Sequence, residues 1–175
     1  MKIRRIFLPA ILTILATTAC AQSSAPTPPA AKTVAEQSFE ALKTLAGNWH
    51  GTMDGKAAHI TLRTTSMGHT LMHEMRSDGA PDDPITMLTL DGPRLLMTHY
   101  CDAGNQPRLV GTVSPDGKTF TFDFVSATNL LPTQEGHMQH VVFTLIDANH
   151  HTELWQFALA DGKLMGGLFD LTRTN

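Results

Sequence analysis

The stretch that decides the fold is PITMLTLDGPRLLMTHYCDAGNQPRLVGTVSPDGK, residues 84–118. It holds three short apolar-rich runs that are separated by the turn sequences DG and DAGN and followed by SPDG. Asx-Gly pairs supply the positive φ angles that tight hairpins need, so consecutive runs are expected to pair as antiparallel strands. A helix would need a longer uninterrupted segment with a 3.6-residue repeat. The stretch therefore predicts a β-meander.

The same spacing of turn residues extends from Asp54-Gly55 almost to the end of the chain. The candidate strands are residues 48–54, 57–66, 69–77, 84–90, 93–101, 106–113, 118–126, 137–147, 150–159 and 163–172. Short connections place sequence neighbours side by side and exclude parallel pairing for most of them. We therefore predict an all-β fold, an antiparallel up-and-down barrel of about ten strands.

One short helix is expected before the barrel. Thr33 and Glu36 fit a capping box, apolar residues then recur at helical spacing, and Gly47 is placed to stop the helix. The apolar stripe of this helix must pack on something, and an open end of the barrel suits it. Residues 33–175 are long enough for one core and too short for two, so we predict a single domain.

The N-terminus predicts export. A basic start and an apolar run precede Ala19-Cys20-Ala21, which fits a cleavage site, so residues 1–21 are expected to be a signal peptide. The apolar run is too short to span a bilayer, and no transmembrane segment is predicted. A lipid anchor on Cys20 is the minority alternative. Residues 22–32 are rich in Pro, Ser and Ala and predict a flexible tether before a periplasmic domain.

Charge and cysteine content exclude several classes of protein. The chain has 13 Lys and Arg and 16 Asp and Glu, and loss of three basic residues with the signal peptide leaves ten against 16. Such an acidic domain is a poor partner for nucleic acid or an anionic membrane. If Cys20 is also removed, Cys101 is the one remaining cysteine, so a disulfide scaffold is excluded.

The strand around residue 99 carries candidate metal ligands. Side chains alternate on a strand, so Met97, His99 and Cys101 share one face, and copper or zinc would recruit sulfur and imidazole donors of this kind. His137 could supply a further ligand. We favour a structural role without metal, because these mixed ligands lack a diagnostic spacing. In that case Met97 and Cys101 belong to the core, and His99 is hydrogen-bonded in the lumen.

The barrel could instead hold a small organic ligand in a cavity that offers a few polar contacts. Arg108 would orient a ligand carboxylate from the loop that follows Cys101, or it would pair with an inward carboxylate such as Glu74. The residues that we expect to contact a ligand are His99, Tyr100, Asn105, Gln106, Arg108, His137, Trp155 and Glu74.

Two stretches resemble known β-barrel families. The phrase LAGNWHG at residues 45–51 is similar to the opening of lipocalins and of ten-stranded nitrobindin-type barrels. Residues 98–108, the pair His137-Met138 and Trp155 resemble a family of exported bacterial lipocalin-like proteins of unknown function. The resemblance covers roughly residues 40–173. It implies a calycin-type barrel with no established activity. Nitrobindin-like proteins bind haem through a His near the C-terminus, whereas this chain has no His after His151.

These patterns lead to one expected function and several alternatives. We expect an exported, non-enzymatic protein that encloses a small, mainly apolar ligand in its barrel, with no cofactor required. One alternative is a metal- or haem-binding barrel that uses Met97, His99, Cys101 or His137. Another is an envelope interaction module with a filled barrel. Enzymatic activity with His99 or Glu74 as a general base is a further alternative, although the sequence has no catalytic motif that indicates a substrate.

Overall fold

A computed structural model describes residues 31–77 and 83–174 of the chain. The predicted signal peptide, Cys20, nearly all of the predicted tether and most of the loop after residue 77 lie outside the described residues. Within the described ranges, no helix combines the length and the apolar character that a membrane crossing needs.

The predicted elements are present at their predicted places. The α-helix α1 spans Val34–Lys43 and is followed by ten strands, β1 to β10. Their bounds are Gly47–Met53, Lys56–Thr65, Thr70–Ser77, Ile85–Asp91, Arg94–Tyr100, Gln106–Val113, Thr119–Thr128, Gly136–Asp147, His150–Leu159 and Leu164–Arg173. A short 3₁₀ turn, Ser66–Gly68, joins β2 to β3. Each predicted strand is confirmed to within two residues at either end.

The ten strands form one closed antiparallel barrel. Each strand pairs with its sequence neighbours, and β1 closes the barrel against β10 with Trp49 opposite Arg173 and Met53 opposite Phe169. The up-and-down topology is therefore confirmed. Because the chain reverses at every connection, the loops that follow odd-numbered strands share one end, which we call the open end. The loops after even-numbered strands lie with α1 at the closed end.

The helix begins as its sequence predicts and ends earlier. Thr33 Oγ1 accepts from the Glu36 amide at 3.2 Å, and Glu36 Oε2 accepts from the Thr33 amide at 2.6 Å, which completes the capping box. The C-cap is Thr44, so the prediction that Gly47 stops the helix is wrong. Gly47 instead opens β1 at a φ of 146°, where a Cβ atom would overlap the Arg173 guanidinium.

The closed end is sealed by the helix and by one arginine. Phe39 and Leu42 of α1 are buried in the barrel core. The Arg173 guanidinium lies 4.1 Å from the centre of the Trp49 ring and donates from Nη1 to the Ala46 carbonyl at 2.8 Å. The helix and Arg173 thus cover Trp49 at this end.

Candidate functional site

A cavity of about 670 Å³ enters the barrel at the open end. The ends of several strands and the loops that follow β5 and β7 surround it. The lining is mostly apolar and consists of Met53, Met75, Pro84, His99, Cys101, Asp102, Ala103, Thr133, Gln134, Glu135, Met138, Trp155, Phe157, Met165, Gly166, Gly167 and Phe169. Four of these residues are methionines, whose unbranched thioether side chains adapt to the shape of a neighbour. The volume falls within the roughly 300–1,000 Å³ that is usual for small-molecule sites.

His99 is a buried polar group in the lining of this cavity. Its side chain is 4 % exposed, and its Nδ1 lies 2.7 Å from Oγ1 of Thr86 on the neighbouring strand. Burial lowers the pKa of His99 to about 4, and the nearby His73 contributes to the shift. The ring is therefore uncharged at neutral pH. Its Nε2 is left to donate or accept one hydrogen bond from a ligand, depending on the tautomer.

Trp155 is one of three aromatic residues in the cavity lining. Its ring centre lies 5.6 Å from that of His99, and the two side chains together make what we call the cavity floor. The indole Nε1 donates to Glu153 Oε2 at 2.9 Å, and the residue is 4 % exposed. A hydrogen bond to a buried carboxylate fixes the orientation of the ring. A ligand in the cavity would therefore meet a preformed surface.

A buried cluster of charged and polar groups supports the floor from behind. Glu153 is fully buried, and its carboxylate accepts from His73 Nε2 and from His151 Nε2, each at 2.9 Å, in addition to Trp155. Burial by itself raises the pKa of this carboxyl. The attraction of His73 and the hydrogen bonds from His151 and His73 outweigh burial and lower the pKa to about 2. Glu153 is thus an ionised acceptor for three N–H donors.

Asn105 shapes the mouth of the cavity from outside its lining. The side chain is fully buried, and Nδ2 donates to the Gly136 carbonyl at 2.8 Å and to Gln134 Oε1 at 3.3 Å. These bonds join the loop after β5 to the loop after β7. The adjacent Gln106 bonds the Gly104 carbonyl at 3.4 Å within the first of these loops. Asn105 and Gln106, both predicted to contact a ligand, therefore form hydrogen bonds that hold these loops.

The predicted ligand contacts divide between the two faces of the barrel wall. His99 and Trp155 line the cavity, where a ligand could reach them. Tyr100 and Arg108 are exposed on the outer face. Glu74 also faces outwards, because alternation along β3 turns it away from the buried His73, and its carboxylate lies 3.7 Å from Arg76. The expected pairing of Arg108 with an inward Glu74 is therefore wrong.

The candidate metal ligands are only partly brought together. Met97 and His99 share the inner face of β5 as the alternation predicts, and Cys101 directly follows this strand; Met97 is fully buried and Cys101 lies in the cavity lining. Burial raises the pKa of the Cys101 thiol. His137 stacks on Phe124 with ring centres 4.0 Å apart. In the part of the chain that the structure describes, no group of three or more His, Cys, Asp or Glu is placed to hold a metal ion.

Sequence reasoning missed the Glu153 cluster and the methionines of the cavity. A signal for the cluster was present, because His151, Glu153 and Trp155 are spaced by two and must share one face of a strand. This signal is weak, because His151 lies beside a hairpin turn and because a Glu is rarely buried without partners. The main partner, His73, lies 80 residues away in the sequence. The sequence alone did not reveal that contact.

Comparison with known proteins identifies the fold. No protein-family model and no curated protein matches the chain. It is similar to the crystal structure of Rv2717c from M. tuberculosis, with a TM-score of 0.52 and 17 % identity, over 81 % of this chain and 99 % of that one. It is also similar to a DUF3598-family protein of unknown function from Nostoc punctiforme, with a TM-score of 0.52 and 14 % identity over 76 % of this chain.

These two likenesses differ in how much of the other protein they cover. The chain spans only 48 % of the length of the Nostoc protein, whereas it spans nearly all of Rv2717c. At identities below 20 %, a structural likeness of this kind shows a shared fold and leaves the activity open. The protein is therefore a closed ten-stranded barrel, and its fold resembles that of these two proteins.

Proposed function

We propose that this protein binds a small, mainly apolar molecule in the cavity at the open end of its barrel. The observation that carries the proposal is the cavity itself, which has a volume of about 670 Å³ and a mostly apolar lining. A cavity of this size with few polar groups is the usual form of a small-molecule site. The predicted signal peptide, residues 1–21, would make it an exported binding protein.

The construction of the cavity floor supports binding. Trp155 is held by Glu153, and His99 is held by Thr86, so both side chains are positioned before a ligand arrives. Preorganisation of this kind reduces the entropy that is lost on binding. The floor would contribute an aromatic surface and one hydrogen bond. The flexible methionine side chains of the lining would pack around the rest of the ligand. An interaction module would be expected to fill its barrel, and the cavity favours the binding protein instead.

The first test blocks the mouth of the cavity. Ala103 is half-buried in the lining, so Ala103→Trp places an indole where a ligand would enter. We expect about tenfold or greater loss of affinity for the neutral fluorescent probe N-phenyl-1-naphthylamine, since the indole competes with it for space. The probe's own emission on titration gives the affinity, and circular dichroism checks the fold.

A matched control separates the cavity from the rest of the surface. Ala57→Trp adds the same side chain at an exposed position of β2 that is not in the lining, and it should leave the affinity unchanged. If Ala103→Trp binds the probe as tightly as the unmodified protein does, the cavity is not the binding site.

A metal-binding barrel is the second candidate, favoured by the soft donor atoms in the same lining. Cys101, His99 and the methionines supply sulfur and imidazole, the ligands that Cu(I) prefers. Elemental analysis of the purified protein distinguishes the two candidates. Stoichiometric copper that is lost in His99→Ala would favour the metal site over the organic ligand.

A further inference from the structure

We propose that the cavity prefers an apolar molecule with a cationic polar end, such as an alkylammonium, and disfavours the corresponding carboxylate. This inference rests on the proposed function and adds the chemical class of the ligand. It follows from the charged residues at the open end, which are placed where the polar end of a bound amphiphile would emerge.

The charged residues of the lining have one sign. Asp102 and Glu135 carry carboxylates, and none of the described residues that line the cavity is Lys or Arg. Glu135 is exposed at the mouth, in the loop that follows β7. A carboxylate ligand would enter a negative field without a cation to bind it, whereas an ammonium group would be attracted.

The basic side chains at the open end do not line the cavity. Lys163 lies 2.8 Å from Asp161 in the hairpin after β9, and Arg76 Nη2 lies 3.0 Å from Asp83 at the end of β3. Lys56, at the start of β2, and Arg108, on the outer face of β6, are exposed and are not in the lining. The charged groups of the lining itself are therefore carboxylates.

The interior of the cavity is also suited to a cation. Three of its lining residues, Trp155, Phe157 and Phe169, are aromatic, and aromatic side chains attract a cation rather than an anion. His99 adds no positive charge at neutral pH, because burial holds its pKa near 4. A bound carboxylate would therefore find hydrogen-bond donors but no counterion.

The test compares three head groups on one ten-carbon chain. Decyltrimethylammonium, decanol and decanoate are used, each below its micelle concentration, to displace N-phenyl-1-naphthylamine from the purified protein. We expect the ammonium compound to displace the probe at about tenfold lower concentration than decanoate, with decanol between them. The difference should shrink as salt is added, because exposed charges are screened.

Charge variants identify the source of the preference. Glu135→Gln should reduce the preference for the ammonium compound, and Glu135→Lys should abolish it. The matched controls Glu40→Gln and Glu40→Lys change the same charge on α1 at the closed end and should leave the preference intact. Glu40 is exposed, so neither control disturbs the core.

The outcomes separate this inference from the proposed function. If the probe itself does not bind, the proposed function fails. If the probe binds but decanoate displaces it as well as the ammonium compound does, or if no compound displaces it, the charge preference is overturned and the cavity stays a binding site. A preference that persists in Glu135→Lys would also overturn the inference.

Discussion

Glu153→Gln is expected to lower the free energy of unfolding by about 3 kcal/mol, a loss typical of removing one member of a buried ionic cluster. The substitution keeps the volume of the side chain, so no cavity forms in the core. The amide offers one acceptor oxygen in place of a carboxylate that accepts from His73, His151 and Trp155. At least one buried N–H group would then lose a charged acceptor or face another donor.

Urea denaturation at neutral pH measures this effect against a matched control. Glu74→Gln makes the same chemical change at a half-buried position on the outer face, where the partner is Arg76 at 3.7 Å. We expect that control to cost less than about 1 kcal/mol. Equal losses in the two variants would contradict the assignment of Glu153 as the acceptor that holds the core together.

The second large effect is a loss of stability on mild acidification that depends on His99. The pKa of this ring is lowered from 6.5, the ordinary value for a histidine in an unfolded chain, to about 4 in the barrel. Between these two values the unfolded chain binds the proton and the folded chain does not, so the unfolded state gains stability as the pH falls. The shift corresponds to a loss on the order of 3 kcal/mol between about pH 6.5 and pH 4.

Denaturation midpoints measured across this range test the role of His99. His99→Gln should flatten the pH dependence between about pH 6.5 and pH 4, because the group that titrates on unfolding is gone. His59→Gln, at an exposed position on β2, is the matched control and should keep the slope of the unmodified protein. An unchanged slope in His99→Gln would contradict the assignment.

Glu153 should act at lower pH and in the same direction. Its pKa is lowered from the ordinary value of 4.5 to about 2, so its contribution to stability is complete above about pH 4.5 and is lost as the pH falls towards 2. This second phase should persist in His99→Gln. Two separate acid phases are therefore expected, one from His99 in the cavity floor and one from Glu153 behind it.

Most of the fold could be predicted because it depends on local chemistry. Asx-Gly turns at regular spacing determine where strands end, and short connections require antiparallel neighbours. The same logic located the capping box at Thr33. It failed at Gly47, because the stop signal for the helix and the start signal for β1 lie close together, and packing of Arg173 beside this glycine could not be foreseen.

The candidate site could be predicted only in part because it depends on register and on distant contacts. Alternation correctly grouped Met97 and His99, but it does not tell which face is the inner one. The sequence predicts Arg108 beside a ligand, but its side chain lies on the outer face of the barrel. The pairing of β6 with β7 shifts at a bulge between Arg108 and Leu109. The Glu153 cluster needs strands that are remote in sequence to meet across the barrel.

The most direct test of the binding proposal uses Trp155 as a reporter in the cavity floor. The protein has two tryptophans, and Trp49→Phe removes the one that lies at the closed end. We predict that N-phenyl-1-naphthylamine quenches the remaining indole emission by energy transfer, saturably and at one probe per chain. Probe fluorescence that rises while the emission of Trp155 stays unchanged, or quenching that never saturates, would contradict binding in this cavity.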